Sequence, residues 1–120
     1  KSKTASLSQD EIRVKDAIRY IEEHYADHIA LEDLADAISI SKSECCRFFK
    51  KYMRMTIFDY LLSTRIQNSI PLLMDGENIT TIAGLVGFSS PAYYGQIFKR
   101  YMGMSPSQYK KNAAQSPSGD

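Results

Sequence analysis

Apolar residues recur at helical spacing along most of the chain. Those of the first amphipathic segment follow one another at intervals of four, three and four: Val14, Ile18, Ile21 and Tyr25. Such spacing places them on one face of a helix. Ser8 and Glu11 have the order of a capping box, in which the Ser8 hydroxyl accepts from the Glu11 amide and the Glu11 side chain reaches back. The pattern therefore predicts a helix that begins after Ser8.

The same reading predicts six further helices. They cover about residues 31–38, 41–52, 56–74, 80–86, 91–102 and 105–111. No segment alternates with the period of two that a half-buried strand requires, so no sheet is expected. Pro71 lies inside the long fourth helix, where it removes one hydrogen bond and should kink the last turn. The predicted fold is all-α, with about seven helices.

Two parts of the chain repeat one pattern. Residues of the first copy have counterparts 48 or 49 positions later: Leu34 and Ile82, Ala35 and Ala83, Ser41 and Ser90, Phe49 and Phe98, Tyr52 and Tyr101. Each copy is a short apolar helix, a tight turn and a second helix that opens on a serine. This is the outline of a helix-turn-helix, and the 56–74 segment then connects the two copies.

The second helix of each copy has two different faces. The expected buried face carries Cys45, Phe48, Phe49 and Tyr52 in the first copy, and Tyr94, Ile97, Phe98 and Tyr101 in the second. The opposite face carries Ser43, Cys46, Arg47 and Lys50, and then Ala92, Gly95, Gln96 and Lys99. Short, hydrogen-bonding and basic side chains suit a helix that enters a DNA major groove.

The distribution of charge agrees with such a partner, although the net charge of +1 does not. Residues 9–37 contain nine acids and three bases, whereas residues 38–120 contain five acids and ten bases. The acidic face of the first helix is expected to face solvent and is a candidate docking surface for another domain or for RNA polymerase. A connector of about 18 residues is ~27 Å long, so the two basic faces could lie ~34 Å apart, which is one turn of B-DNA.

The stretch GFSSPAYYGQIFKRYMGMSPSQYKK and the linker text DYLLSTRIQNSIPLL resemble the DNA-binding domain of AraC/XylS-type bacterial transcription regulators. The resemblance covers about residues 14–111. It implies two helix-turn-helix subdomains joined by a long linker helix, together with promoter binding and control of transcription. It also implies an N-terminal sensor or phosphoacceptor domain in the full-length protein.

The resemblance assigns the candidate DNA-binding residues. Ser43, Cys46 and Arg47 correspond to base-edge readers, Lys50 to a phosphate contact, and Arg65 to a family arginine near the DNA backbone. The full predicted set is Lys42, Ser43, Cys46, Arg47, Lys50, Arg65, Ser90, Ala92, Tyr93, Gly95, Gln96 and Lys99.

Several positions depart from the family pattern. Gln96 stands where many members have arginine, and Ala92 and Gly95 offer little hydrogen bonding. Arg54 and Ser39 replace turn glycines that the second copy keeps. A left-handed backbone at Arg54 would cost ~1 kcal/mol.

The predicted organisation is a first subdomain over residues 9–55, a linker over 56–76 and a second subdomain over 77–112. Residues 1–8 and 113–120 are predicted to be disordered tails. No run of apolar residues is long enough to cross a membrane. The only two cysteines are the adjacent Cys45 and Cys46, which favours a reducing, cytoplasmic location.

Other functions find less support in the sequence. His24 and His28 have the spacing of a metal pair, but no third ligand is placed beside them, so no metal or cofactor is expected. No nucleophile and base are paired, and no phosphate-binding glycine loop occurs, which argues against an enzyme. The remaining alternative is a helical adaptor that binds protein through its aromatic repeats.

Overall fold

The computed structural model describes residues 8–115, and within that range every regular element is an α-helix. The helices are α1 (Gln9–His24), α2 (Leu31–Ala37), α3 (Lys42–Met53), α4 (Ile57–Met74), α5 (Ile79–Leu85), α6 (Pro91–Met102) and α7 (Pro106–Gln115). The prediction of an all-α fold with about seven helices is confirmed for this part of the chain.

One predicted boundary is corrected by α7. This helix includes residues 113–115, which the sequence assigned to a disordered tail. Ala113 and Ala114 have high helix propensity, so the helix continues past residue 112. The other tail residues, 1–7 and 116–120, lie outside the described part of the chain.

Polar side chains cap six of the described helices. Thr56 Oγ1 accepts from the Asp59 amide at the start of α4, and Ser105 Oγ accepts from the Gln108 amide at the start of α7. Ser8 Oγ accepts from the Glu11 amide at 3.1 Å, and Glu11 Oε1 accepts from the Ser8 amide at 3.0 Å. Ser41 forms the equivalent capping box with Glu44. Asn78 caps α5 one residue earlier than predicted, because its side-chain oxygen accepts from the Thr81 amide. Ser90 caps α6.

Two compact units divide the chain between Leu61 and Leu62, inside α4. This division falls within the predicted linker, while the exact subdomain limits stay a prediction. None of the helices within residues 8–115 has the length and apolar character needed to cross a bilayer.

The first unit buries one face of each of its helices. Its core consists of Val14, Ala17, Ile21, Leu34, Ala35, Cys45, Phe49 and Leu61. On α3, Cys45 and Phe49 are buried as predicted and Phe48 is half-buried. The prediction for Tyr52 is wrong, because 37% of this residue is exposed. Tyr52 lies in the last turn of α3, where its ring is 5.5 Å from the Lys51 ammonium.

The second unit has an aromatic core between α5, α6 and α7. Tyr94, Ile97 and Phe98 of α6 are buried as predicted, and Tyr101 is half-buried. The Tyr94 and Phe98 ring centres are 5.7 Å apart, and the Phe98 and Tyr109 centres 5.6 Å apart. These edge-on contacts hold α6 against α7 and leave its other face exposed.

The equivalent turns of the two copies have similar backbone conformations but different residues. Arg54 ends α3 with φ 62°, and Gly103 ends α6 with φ 82°. Before the second helix of each copy, Ser39 has φ 62° and Gly87 has φ 100°. Arg54 therefore has the left-handed backbone of its glycine counterpart. Because non-glycine residues pay a steric cost in this region, the first copy carries strain that the second avoids.

Candidate nucleic-acid interface

The exposed face of α3 brings together three of the predicted DNA contacts. Ser43, Arg47 and Lys50 are spaced by four and three residues, so they share one side of the helix, and all three are exposed. The buried Cys45 and Phe49 fix the opposite side in the core. The rotation of α3 is therefore set by apolar packing, and its polar side faces outward.

Arg47 rests on an aromatic neighbour. Its guanidinium carbon is 5.0 Å from the ring centre of the half-buried Phe48. The Arg13 guanidinium of α1 lies 5.9 Å from the same ring centre. Phe48 therefore gathers two cations at one edge of the first unit. The sequence did not point to Arg13, because it lies on α1, outside the repeated pattern.

Lys42 begins α3 with an acidic partner. Its ammonium is 3.2 Å from the Glu32 carboxylate of α2, and both side chains are exposed. A backbone hydrogen bond at Glu32 and then the Lys42 ammonium hold the pKa of Glu32 below its ordinary value. The Lys42 ammonium is thus paired with a carboxylate of α2.

Cys46 is exposed but lies nearer to the core side of α3 than Arg47 does. It lines an apolar cavity of about 180 Å³, together with Leu34, Ile57 and Phe58. Cys45, beside it, is buried, and this burial raises the pKa of its thiol to about 11. Cys46 therefore borders the polar face of α3 without lying at its centre.

The exposed face of α6 matches that of α3. Ala92, Gln96 and Lys99 stand 49 positions after Ser43, Arg47 and Lys50, and all three are exposed. Gly95 is half-buried, and a methyl group added to it would meet nothing within 4 Å. The exposed face of α6 is consequently flat around the long amide side chain of Gln96.

Ser90 and Tyr93, the other predicted contacts of the second copy, have structural partners. Ser90 Oγ accepts from the Tyr93 amide at 3.1 Å and so caps the helix. The Tyr93 ring is half-buried and packs edge-on against Phe88, with 5.6 Å between ring centres. Both residues fix the start of α6, which is the end that an inserted recognition helix presents to bases.

Arg65 differs from the exposed set. Only 8% of it is exposed, and its guanidinium carbon lies 5.8 Å from the Phe88 ring centre. Burial lowers the pKa of Arg65. The expectation from the resemblance was a position near the DNA backbone, whereas the structure places this side chain among the aromatic residues of the second unit.

Further cations lie beside both exposed faces. Lys51 and Arg100 are exposed and occupy equivalent positions in the two copies. Helical periodicity places them at the edge of each face, which is why they were not assigned. Among the described residues, no group of three or more His, Cys, Asp or Glu side chains is placed to hold a metal ion.

A family model described as a helix-turn-helix domain matches residues 34–112, which is more than half of the chain. The chain belongs to the AraC-type helix-turn-helix family. This AraC-type domain is 42% identical over 100 residues to the uncharacterized HTH-type transcriptional regulator YdeC of Bacillus subtilis, and covers 34% of that protein. It is 36% identical over 107 residues to the transcriptional regulatory protein HptR of Staphylococcus aureus, and covers 42% of it. The alignments use 82% and 89% of the present chain.

Solved structures of the same family superpose closely on the AraC-type domain. The C-terminal domain of AraT, a response regulator from Geobacillus stearothermophilus, gives a TM-score of 0.81 at 28% identity, with 88% of each chain covered. The DNA-binding domain of AdpA in complex with a target DNA gives 0.79 at 24% identity, covers 88% of this chain and 96% of that one, and supports the fold alone. The chain is a DNA-binding domain of the transcription-regulator type, and the relatives carry the names of regulators rather than enzymes.

Proposed function

We propose that this AraC-type domain binds double-stranded DNA sequence-specifically, with α3 and α6 each entering a major groove. The observation that carries the proposal is the matched pair of exposed faces, Ser43-Arg47-Lys50 and Ala92-Gln96-Lys99. Each face lies on the second helix of a helix-turn-helix, and each is held outward by a buried opposite face. Helices of this kind read bases with the residues near their N-terminal end.

The side chains of the two faces suit different contacts. An arginine can donate two hydrogen bonds to guanine, and a glutamine can pair with adenine, so Arg47 and Gln96 are the proposed readers. Lys50 and Lys99 lie one turn further along, where an ammonium reaches phosphate. Ala92 and the bare Gly95 leave room for a thymine methyl group. Ser43, Cys46 and Lys42 complete the first face, while Ser90, Tyr93 and Arg65 support the second.

The chain spans less than half the length of the curated relatives it matches. We propose that it is the output domain of a longer cytoplasmic regulator. Some relatives are named response regulatory proteins, which supports a phosphoacceptor domain before this one. In that arrangement the domain itself is not catalytic, and its bound state at a promoter changes the recruitment of RNA polymerase.

A mobility-shift titration tests this function. A duplex is first selected from a random-sequence library by the protein, and its affinity is then measured at increasing salt. Because each neutralised phosphate releases counterions, log K should fall with log salt by about 0.9 for every phosphate contacted. Two protected segments about 10 base pairs apart are expected in a footprint, since successive major-groove segments repeat at that distance.

The helical adaptor is the competing function, and it predicts different results. Apolar contacts between proteins depend little on salt. Failure to enrich any duplex, or binding that is indifferent to salt, would reject DNA binding by this domain.

A further inference from the structure

A buried chain of hydrogen bonds ties α6 to α4 inside the second unit. The Tyr94 hydroxyl donates to Ser69 Oγ at 2.8 Å, and Ser69 Oγ donates to the carbonyl oxygen of Ile66 at 2.6 Å. Tyr94 and Ser69 are both fully buried. The Ser69 hydroxyl donates its hydrogen bond to the Ile66 carbonyl, so its oxygen can accept from Tyr94. The two hydroxyl groups of this hydrogen-bonded chain are therefore satisfied.

This hydrogen-bonded chain adds a directional restraint to the apolar packing around Tyr94. Phe88 and Phe98 flank the Tyr94 ring, with ring centres 5.3 and 5.7 Å away. These ring contacts already limit the rotation of α6, and the hydrogen bond adds a stricter limit because it weakens steeply when its length or angle changes. Burial raises the pKa of Tyr94, so the hydroxyl keeps the proton that it donates.

The position of Tyr94 makes rotation of α6 matter for the reading face. Tyr94 lies two residues before Gln96, on the opposite side of the same turn. A helix with side chains is ~10–12 Å across, so turning it by ~15° moves its surface by ~1.5 Å. That shift exceeds the ~0.5 Å range of good hydrogen-bond lengths. A paired contact from one glutamine amide to a base therefore needs the rotation of α6 to be set.

We propose that Tyr94, acting through Ser69 and the Ile66 carbonyl, is a positioning residue that sets the rotation of α6 and thereby the base discrimination of Gln96. This inference rests on the proposed function. The first copy provides an internal contrast, since the equivalent residue is Cys45, whose buried thiol packs in the apolar core. There the longer Arg47 side chain, resting on Phe48, reads from a helix set by packing.

The test uses three variants and one matched control. Tyr94→Phe removes the donor, Ser69→Ala removes its acceptor, and the double variant removes both. Tyr109→Phe deletes a hydroxyl from another aromatic residue of the same unit, which contacts Phe98 from α7. Each protein is titrated on a duplex that the wild-type protein has selected, and on duplexes with one base pair changed. The base pair read by Gln96 is the one at which Gln96→Ala loses discrimination.

The expected result separates positioning from simple stability. Tyr94→Phe should weaken binding to the selected duplex roughly threefold to tenfold, the effect of one buried hydrogen bond, and should flatten discrimination at the Gln96 base pair. Ser69→Ala should lower the melting temperature most, because it leaves a buried hydroxyl unpaired. In the double variant both polar groups are gone, so the melting temperature should recover while discrimination at that base pair stays low.

Other outcomes overturn the inference. One is a double variant in which base-pair discrimination recovers together with the melting temperature. Another is a Tyr94→Phe protein that discriminates between base pairs as the wild type does. A third is an equal loss of discrimination in Tyr109→Phe. If Gln96→Ala keeps its discrimination at every base pair, the inference is overturned as well. If Ser69→Ala does not fold, Tyr94→Phe and the double variant still decide. Failure of the wild-type protein to select any duplex is a separate result, which rejects the proposed function itself.

Discussion

The Lys42 ammonium lies 3.2 Å from the Glu32 carboxylate, so the cation at the start of α3 has an acidic neighbour on α2. A DNA phosphate that approaches Lys42 must share this cation with Glu32. The pair is exposed, and exposed ion pairs contribute little to folding stability. Its effect should therefore be felt in DNA binding more than in the free energy of unfolding.

Replacing Glu32 should strengthen binding to DNA of any sequence. Glu32→Gln keeps the size of the side chain, releases Lys42 and removes one repelling charge. We expect affinity for a random duplex to rise roughly threefold at low salt and the salt dependence to steepen by about one phosphate contact. Fluorescence anisotropy at several salt concentrations measures both quantities.

Asp36→Asn is the matched control for Glu32→Gln. It removes the same charge from another exposed position near the end of α2. A general loss of repulsion would affect both variants equally, and that result would contradict a specific role for the Glu32–Lys42 pair.

Arg47→Ala should cost about 1–3 kcal/mol of binding free energy and relax specificity at one base pair. The variant loses a two-pronged donor that the ring of Phe48 holds in place. Arg47→Lys keeps the charge but not the fork, so it should restore affinity more than specificity. Arg19→Ala is the control, because Arg19 is exposed on α1 and paired with Asp16. Binding of Arg47→Ala that matches the control in a mobility shift would reject the assigned contact.

Arg54→Gly should stabilise the first unit. Arg54 has φ 62° and ψ 22°, a conformation that costs a residue with a Cβ ~1 kcal/mol. Thermal unfolding should show a higher melting temperature, with DNA affinity unchanged. Arg100→Gly is the reference, because it makes the same replacement inside α6, where glycine lowers stability by ~1 kcal/mol. A lower melting temperature in both variants would show that the turn is not strained.

Stability should fall between about pH 9 and pH 11 through Cys45. Burial, and then the neighbouring Cys46, raise the pKa of Cys45 from 9.0 to about 11. The unfolded chain releases this proton at lower pH than the folded chain, so the contribution is intact below pH 9 and is lost as pH rises to 11. The loss should reach roughly 2–3 kcal/mol.

Urea unfolding at pH 8 and pH 10.5 measures this contribution. Cys45→Ala should flatten the difference between the two pH values, whereas Cys46→Ala, at the exposed neighbouring position, should retain most of it. An equal pH response in the two variants would exclude Cys45 as the source.

Arg65→Lys should lower the melting temperature, and Arg65→Gln, which also removes the charge, should leave the salt dependence of DNA binding unchanged. The guanidinium is nearly buried against Phe88, and a lysine cannot replace its planar stacking. Lys50→Gln is the contrasting variant, since loss of a phosphate contact should reduce the salt slope by about one. A slope reduced by about one in Arg65→Gln, with unchanged stability, would place Arg65 at the DNA backbone after all.

The sequence predicted the features that depend on local rules. Serine caps and the helical spacing of Cys45 and Phe49 each follow from residues within a few positions of one another. The burial of Arg65 could not be predicted in this way. The helix α4 is apolar on several sides, and its pattern does not tell which neighbouring helix covers each side. Tyr52 continues the apolar spacing of α3 but is exposed, because the last turn of the helix extends beyond the packed core.

The parts of the site that join distant segments could not be predicted. Tyr94 and Ser69 are 25 residues apart, Lys42 and Glu32 ten, and both links depend on how two helices lie side by side. Arg13 reaches Phe48 for the same reason. Spacing within one helix gives the direction of a side chain, but the partner that it meets is decided by the packing of the helices.

The two non-glycine turns give the copies unequal roles. Where α6 ends on a bare Gly103, α3 ends on a long cationic side chain, Arg54, in the same backbone shape. The halves of this molecule are therefore not interchangeable parts. A chimera built from two second copies would have relaxed turns in both halves, whereas one built from two first copies would double the strain.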